Sequence, residues 1–98
     1  MSNEEYVVEV AIFTVKKKSM DEMKATRKTI EEVLKNFSGF IEIEALYPVD
    51  DSRVFADIVK WDTLQNAKKA REQFMSEIQF QPFMEAIEEV KFMGHFKP

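Results

Sequence analysis

Few side chains here can do chemistry, and the scarcest types say most. His95 is the only histidine and there is no cysteine. Thiol nucleophiles, disulfides and thiolate zinc sites are therefore excluded, and one imidazole cannot build a His-rich metal site. Glu9, Glu42, Glu44 and Asp57 stand in stretches that alternate like strands, with Lys91 and His95 in another. Gathered on one face, such carboxylates would hold a hard cation or raise one another's pKa. The plainer reading is ion pairing with Arg53, Lys91 or a partner chain, and no metal is expected. Trp61 ends an apolar run immediately before Asp62-Thr63. It is either a hydrophobic plug or a wall on which a planar ligand stacks. Asp57, Tyr47 and His95 are the groups that could take a proton beside such a ligand.

Two cationic features complete the inventory. Arg27 interrupts an apolar stripe, where its stem is expected to snorkel to water; the alternative is a buried carboxylate or an anionic ligand. Lys16-Lys17-Lys18 reads as a solvated turn. The net charge of −4 disfavours a nucleic-acid backbone as partner. No Gly-rich phosphate loop, nucleophile elbow or dinucleotide fingerprint is present.

The elements that must position these groups follow from periodicity. Tyr6–Val15, Phe40–Tyr47, Arg53–Trp61 and Val90–Phe96 are rich in β-branched and aromatic residues and read as strands. Met20, Met23, Arg27, Ile30, Val33, Leu34 and Phe37 recur at helical spacing after a capping-box pair, Ser19 and Glu22, and Gly39 is the expected left-handed stop. Asp62 or Thr63 caps a second helix with Leu64, Ala67, Ala70, Phe74, Met75 and Ile78 on its apolar face. Pro82 restarts a short helical piece around Phe80, Phe83 and Met84, which either completes the core or forms a movable lid. The order βαββαβ predicts one α+β domain over residues 1–98, a ferredoxin-like antiparallel sheet with helices on one face.

Composition agrees. Hydrophobic residues at 45% and charged residues at 33%, with only 2 Gly and 3 Pro, indicate a globule of long regular elements. No apolar run approaches the roughly 20 residues of a membrane span. The acidic start Met1-Ser2-Asn3-Glu4-Glu5 lacks the basic region of an export signal, so a cytoplasmic location is expected.

Alternation gives each strand two sets of side chains. One set (Val8, Val10, Ile12; Ile41, Ile43, Ala45; Val54, Ala56, Ile58; Val90, Phe92, Phe96) is almost wholly apolar and is expected under the helices. The other (Val7, Glu9, Ala11, Phe13; Phe40, Glu42, Glu44, Leu46; Phe55, Asp57, Val59, Trp61; Lys91, Met93, His95) mixes charged with large apolar groups. Left open, that set would exceed the apolar patch usual on a monomer, so a homodimer packed sheet against sheet is expected. Burying ~1,000 Å2 of apolar surface is a gross gain on the order of 25 kcal/mol before the costs of association.

The segment Ala56-Asp57-Ile58-Val59-Lys60-Trp61, the spaced Leu64, Ala67 and Ala70, and Phe80-Gln81-Pro82-Phe83-Met84-Glu85-Ala86-Ile87 together resemble the antibiotic biosynthesis monooxygenase-like family of the dimeric α+β barrel superfamily. The resemblance implies a dimer whose sheets close on each other, and a pocket between sheet and helices. It also implies oxygenation of a small electron-rich aromatic or quinol without metal or flavin. Ala70 or Arg71 and Gln79 stand where haem-binding relatives carry histidines, so no haem and no other cofactor is expected. In this reading Phe13, Phe55, Trp61, Phe74 and Phe83 wall the pocket, Trp61 stacks the substrate, and Asp57, Tyr47 or His95 assists proton removal. The other reading is a non-catalytic homodimer that binds a small ligand or serves a structural role.

Overall fold

The structure is a computed structural model and describes residues 5–98. Strand β1 (Val7–Val15) leads through a 3-10 turn (Lys17–Glu22) into helix α1 (Met23–Leu34). Strands β2 (Phe40–Leu46) and β3 (Val54–Trp61) form a hairpin. Helix α2 (Leu64–Ser76), a second 3-10 turn (Ile78–Phe80) and helix α3 (Gln81–Ala86) return the chain to strand β4 (Ile87–Phe96). The sheet is antiparallel in the order β2-β3-β1-β4, the ferredoxin-like arrangement the element order predicts. No helix among the described residues is long and apolar enough to cross a membrane.

Local chemistry sets most of the boundaries. Gly39 adopts φ 83°, but α1 already ends at Leu34, so the left-handed residue serves the turn into β2 rather than stopping the helix. A side chain there would also run into Asp62 and lie 2.7 Å from the Asn66 side chain. Thr63 caps α2 by accepting from the Asn66 amide. Pro82 sits in the first turn of α3, where its missing N–H costs nothing. The expected capping box fails: no side chain caps α1, and a 3-10 turn over Ser19 and Glu22 replaces it. Strand β4 begins at Ile87, three residues before the expected Val90, because its early residues pair with the end of β1.

The largest correction concerns which side of the sheet the helices cover. Glu9, Ala11 and Phe13 from β1 and Asp57, Val59 and Trp61 from β3 share a cavity wall with Ile30 and Leu34 of α1 and Ala70 and Phe74 of α2. The mixed set therefore lies under the helices, and the apolar set of β1, β3 and β4 faces away. Val8, Val10, Ile12, Ala56 and Ile58 are only half-buried on that open face, while Phe92 and Phe96 are 44% and 48% exposed. Two bulges explain the rest. A register shift between Phe40 and Glu42 puts Phe40, Ile43 and Ala45 on the helix side and Glu42, Glu44 and Leu46 on the open side. Another between Ile12 and Phe13 pairs Val90 with Phe13, so Val90 leaves the face that holds Phe92. The four carboxylates accordingly do not share a face: Glu42 pairs with Lys60 on the open side, away from Glu9 and Asp57.

The core lies between sheet and helices. Phe80 is fully buried and stacks on Phe74 at 4.1 Å between ring centroids, with its edge against Phe37 at 5.9 Å. Phe83 is buried and meets the Phe13 ring edge-on at 5.3 Å. The segment around Pro82 thus completes the core. Met75 and Ile78, expected on the apolar face of α2, are exposed.

Candidate functional site

A cavity of about 370 Å3 opens between the sheet and the helices. That lies within the range of small-molecule pockets, roughly 300–1,000 Å3. Apolar side chains from every strand and all three α-helices line it. Its polar groups are Glu9, Asp57 and Arg71. Arg71, Met75 and Val90 are exposed as well as lining, so they rim the mouth.

Three adjacent strands build the chemically most active part of the wall. Glu9 on β1 stands opposite Val59 of β3 and opposite His95 of β4. Trp61 is two residues beyond Val59 on the same side of β3. Its indole Nε1–H donates to the Glu9 carboxylate Oε1 at 2.8 Å. His95 Nε2 lies 3.7 Å from the same oxygen. Trp61 is 2% exposed and its ring meets Phe40 edge-on at 5.8 Å, so plug and wall are one: the indole seals the core and fixes Glu9.

Burial strengthens the hold of Glu9 on a proton. Desolvation raises its pKa above the ordinary 4.5, since burial strips water from the charged form. The Trp61 hydrogen bond, then His95 and Arg71, pull the other way without cancelling the rise, and Asp57 adds slightly to it. A desolvated carboxylate in an apolar cavity is a stronger proton acceptor than one in water.

Asp57 lies in the same wall but is already committed. Arg27, on α1 and 5% exposed, is paired with its carboxylate. The guanidinium also donates to the Leu46 and Ala56 carbonyls at 2.9 Å each. Aromatic faces surround it, with Tyr47 at 4.6 Å and Phe55 at 5.1 Å from ring centroid to Cζ. The expected snorkelling of Arg27 is therefore overturned. The stripe is interrupted because the side chain reaches a buried acid. Burial raises the pKa of Asp57 even against the opposing pull of Arg27.

Of the residues expected to wall the pocket, Phe13, Trp61, Phe74 and Phe83 do so, and Asp57 joins them. Phe55 does not; it is buried behind Phe13, stacked on it at 6.0 Å. Tyr47 packs on Arg27 and Phe55 outside the cavity. His95 stands behind Glu9 rather than in the wall. Glu9 is the group that reading the sequence for a base passed over. Its signal was a lone carboxylate within a run of β-branched residues, but its partner Trp61 is 52 residues away. Among the described residues no group of three or more metal-ligating side chains is gathered.

No sequence-family model matches the chain, and no curated protein matches it in sequence. Solved structures do match. A protein from Bordetella bronchiseptica, provisionally named an antibiotic biosynthesis monooxygenase, superposes with a TM-score of 0.77 at 14% identity, over 96% of this chain and 97% of that one. A provisionally named antibiotic biosynthesis monooxygenase from Nitrosomonas europaea gives 0.76 at 14% identity, over 100% and 94%. SnoaB, a cofactor-independent oxygenase from Streptomyces nogalater, gives 0.66 at 18% identity, over 94% and 89%. At such identities the likeness is one of fold, and the fold is that of antibiotic biosynthesis monooxygenase-like proteins.

Proposed function

We propose that this chain is a cytoplasmic homodimer that binds a small, flat, hydroxylated aromatic in the cavity and oxygenates it directly with O2. The observation that carries the reading is Glu9: a carboxylate desolvated in the wall of an apolar cavity and held by the indole of Trp61. The apolar wall takes the rings, and Glu9 takes the hydroxyl proton. The resulting electron-rich anion reduces O2 without metal or flavin. For a phenol with an open para position the products are a quinone and water. One oxygen atom becomes the new carbonyl; the other leaves with the hydroxyl proton and the displaced ring proton. The cavity contributes by excluding water from the anion and by orienting the ring. Asp57 is held by Arg27 and Tyr47 lies outside the cavity, so neither is assigned the base.

The mixed set that was expected to meet a second copy is covered by the helices, so the second copy is placed instead on the open sheet face, where the apolar set lies. Four strands about 4.8 Å apart and roughly eight residues long at about 3.3 Å each give about 500 Å2 per copy. Both copies together then bury about 1,000 Å2, the lower bound of a specific interface. The centre of the face is apolar, and charges such as the Glu42–Lys60 pair stand towards the β2 edge.

The second reading is a binding protein without turnover, favoured by how few polar groups line the cavity. One experiment separates the two. Trp61 is the only tryptophan, so its fluorescence reports cavity occupancy. Titration with a panel of naphthols and naphthoquinols, with oxygen uptake followed after metal stripping, is expected to give saturable quenching and oxygen consumption. Saturable quenching without uptake selects the binding protein. Absence of saturable quenching contradicts both.

A further inference from the structure

We infer that Glu9 and His95 form one proton-holding pair, with His95 the outer member that passes to solvent the proton Glu9 takes from the ligand; this rests on the reading of Glu9 as the acceptor. The two residues stand directly opposite each other on β1 and β4, with His95 Nε2 3.7 Å from Glu9 Oε1. Nε2 is buried and has no hydrogen-bond partner among the described residues. A buried nitrogen left unpaired costs stability, which argues for a use. The site has an inside and an outside. Glu9 lines the cavity and His95 does not. The imidazole is 19% exposed and the Glu9 side chain 14%, and Nε2 itself is buried, so the contrast between the two lies in which of them lines the cavity.

The neighbours of Glu9 leave no other candidate. From β3 come Trp61, which only donates, and Asp57, which is bound to Arg27. From α2 comes Arg71, whose guanidinium keeps its protons. From β4 comes His95, and imidazole is the group that both takes and releases a proton around neutrality. A protonated Nε2 needs to close by about 1 Å to reach the 2.7–2.9 Å of a charge-assisted bond. The transfer balances: Nε2 of the neutral ring gains the proton from Glu9, the carboxylate is restored, and the imidazolium releases one proton to water as the ring returns to its Nδ1–H tautomer, ready for the next ligand.

The test needs no substrate. NMR titration of ligand-free protein follows the labelled Glu9 carboxyl and the ring of His95, whose signals are unambiguous because it is the only histidine. In the parent chain the His95 ring signals are expected to carry a step where Glu9 titrates, and in Glu9→Gln that step is lost. In His95→Gln the Glu9 midpoint is expected to rise, because a cation that favours its ionised form is removed. A His95 signal without that step in the parent chain, together with a Glu9 midpoint unchanged by His95→Gln, overturns the pair. Because the titration is read without ligand, a chain that turns over no aromatic contradicts the proposed reaction and leaves this result standing on its own.

Discussion

Arg27→Met is expected to lower stability by about 3–5 kcal/mol, the usual result of removing one member of a buried ion pair. The residue is 5% exposed, its guanidinium donates to two carbonyls on neighbouring strands, and Asp57 is left without its counter-charge. Domains of this size lose roughly 4–8 °C of melting temperature per kcal/mol, so the midpoint falls by tens of degrees. The sign of the pH dependence follows from Asp57. Burial already raises its folded pKa above the ordinary 3.8, and loss of Arg27 raises it further. A carboxyl with a raised folded value binds its proton more tightly folded than unfolded, so stability falls as pH rises through that value. The penalty of Arg27→Met is therefore smallest below the ordinary value and fully present above the raised one. Replacing both partners, as in Arg27→Met with Asp57→Leu, is expected to recover most of the loss, because no buried charge remains. Thermal melts of the single and double variants at acid and neutral pH check this. A single variant that melts with the parent contradicts the pair's structural role.

Ile58→Lys is expected to turn a dimer into a folded monomer. Ile58 lies on β3, opposite Val10 of β1 and Glu44 of β2, on the face the helices do not cover. In one copy the lysine reaches water, so the fold tolerates it. In a twofold dimer each copy buries the new ammonium in the apolar centre of the face, where the cross-strand Glu44 offsets only part of a desolvation cost of several kcal/mol per ion. The dissociation constant then rises on the order of 10⁴-fold or more. Sedimentation of the parent chain at micromolar concentration is expected to give twice 11.5 kDa, and Ile58→Lys to give 11.5 kDa. A parent chain that sediments at 11.5 kDa contradicts the assembly.

The element order was legible because alternation and helical spacing are local signals. Thr63 and Pro82 mark helix starts by their own backbone chemistry and stand where the sequence places them, whereas Gly39 turns the chain into β2 after α1 has already ended at Leu34. Which face of the sheet lies inward was not legible. Val8, Val10, Ile12 and Ile58 look like core because they are apolar, yet they lie on the uncovered side. Glu9 and Asp57 look like surface because they are charged. Their partners Trp61 and Arg27 lie 52 and 30 residues away, and only the fold brings them together. Arg27 was the one local clue, a cation in the middle of an apolar stripe. The bulge at β2 hid the rest, since one extra residue reverses the alternation beyond it.

The raised pKa of Glu9 and its place in the cavity wall make one variant decisive. Glu9→Gln keeps the shape and an acceptor for the Trp61 indole but cannot take a proton. Oxygen uptake and Trp61 quenching are measured together, with a naphthol that the parent chain oxidises. With Glu9 as the base, kcat is expected to fall by about 10²–10⁴-fold, the usual contribution of a positioned base, with the half-saturating concentration for quenching little changed. Oxygen uptake by Glu9→Gln at the parent rate would contradict that assignment.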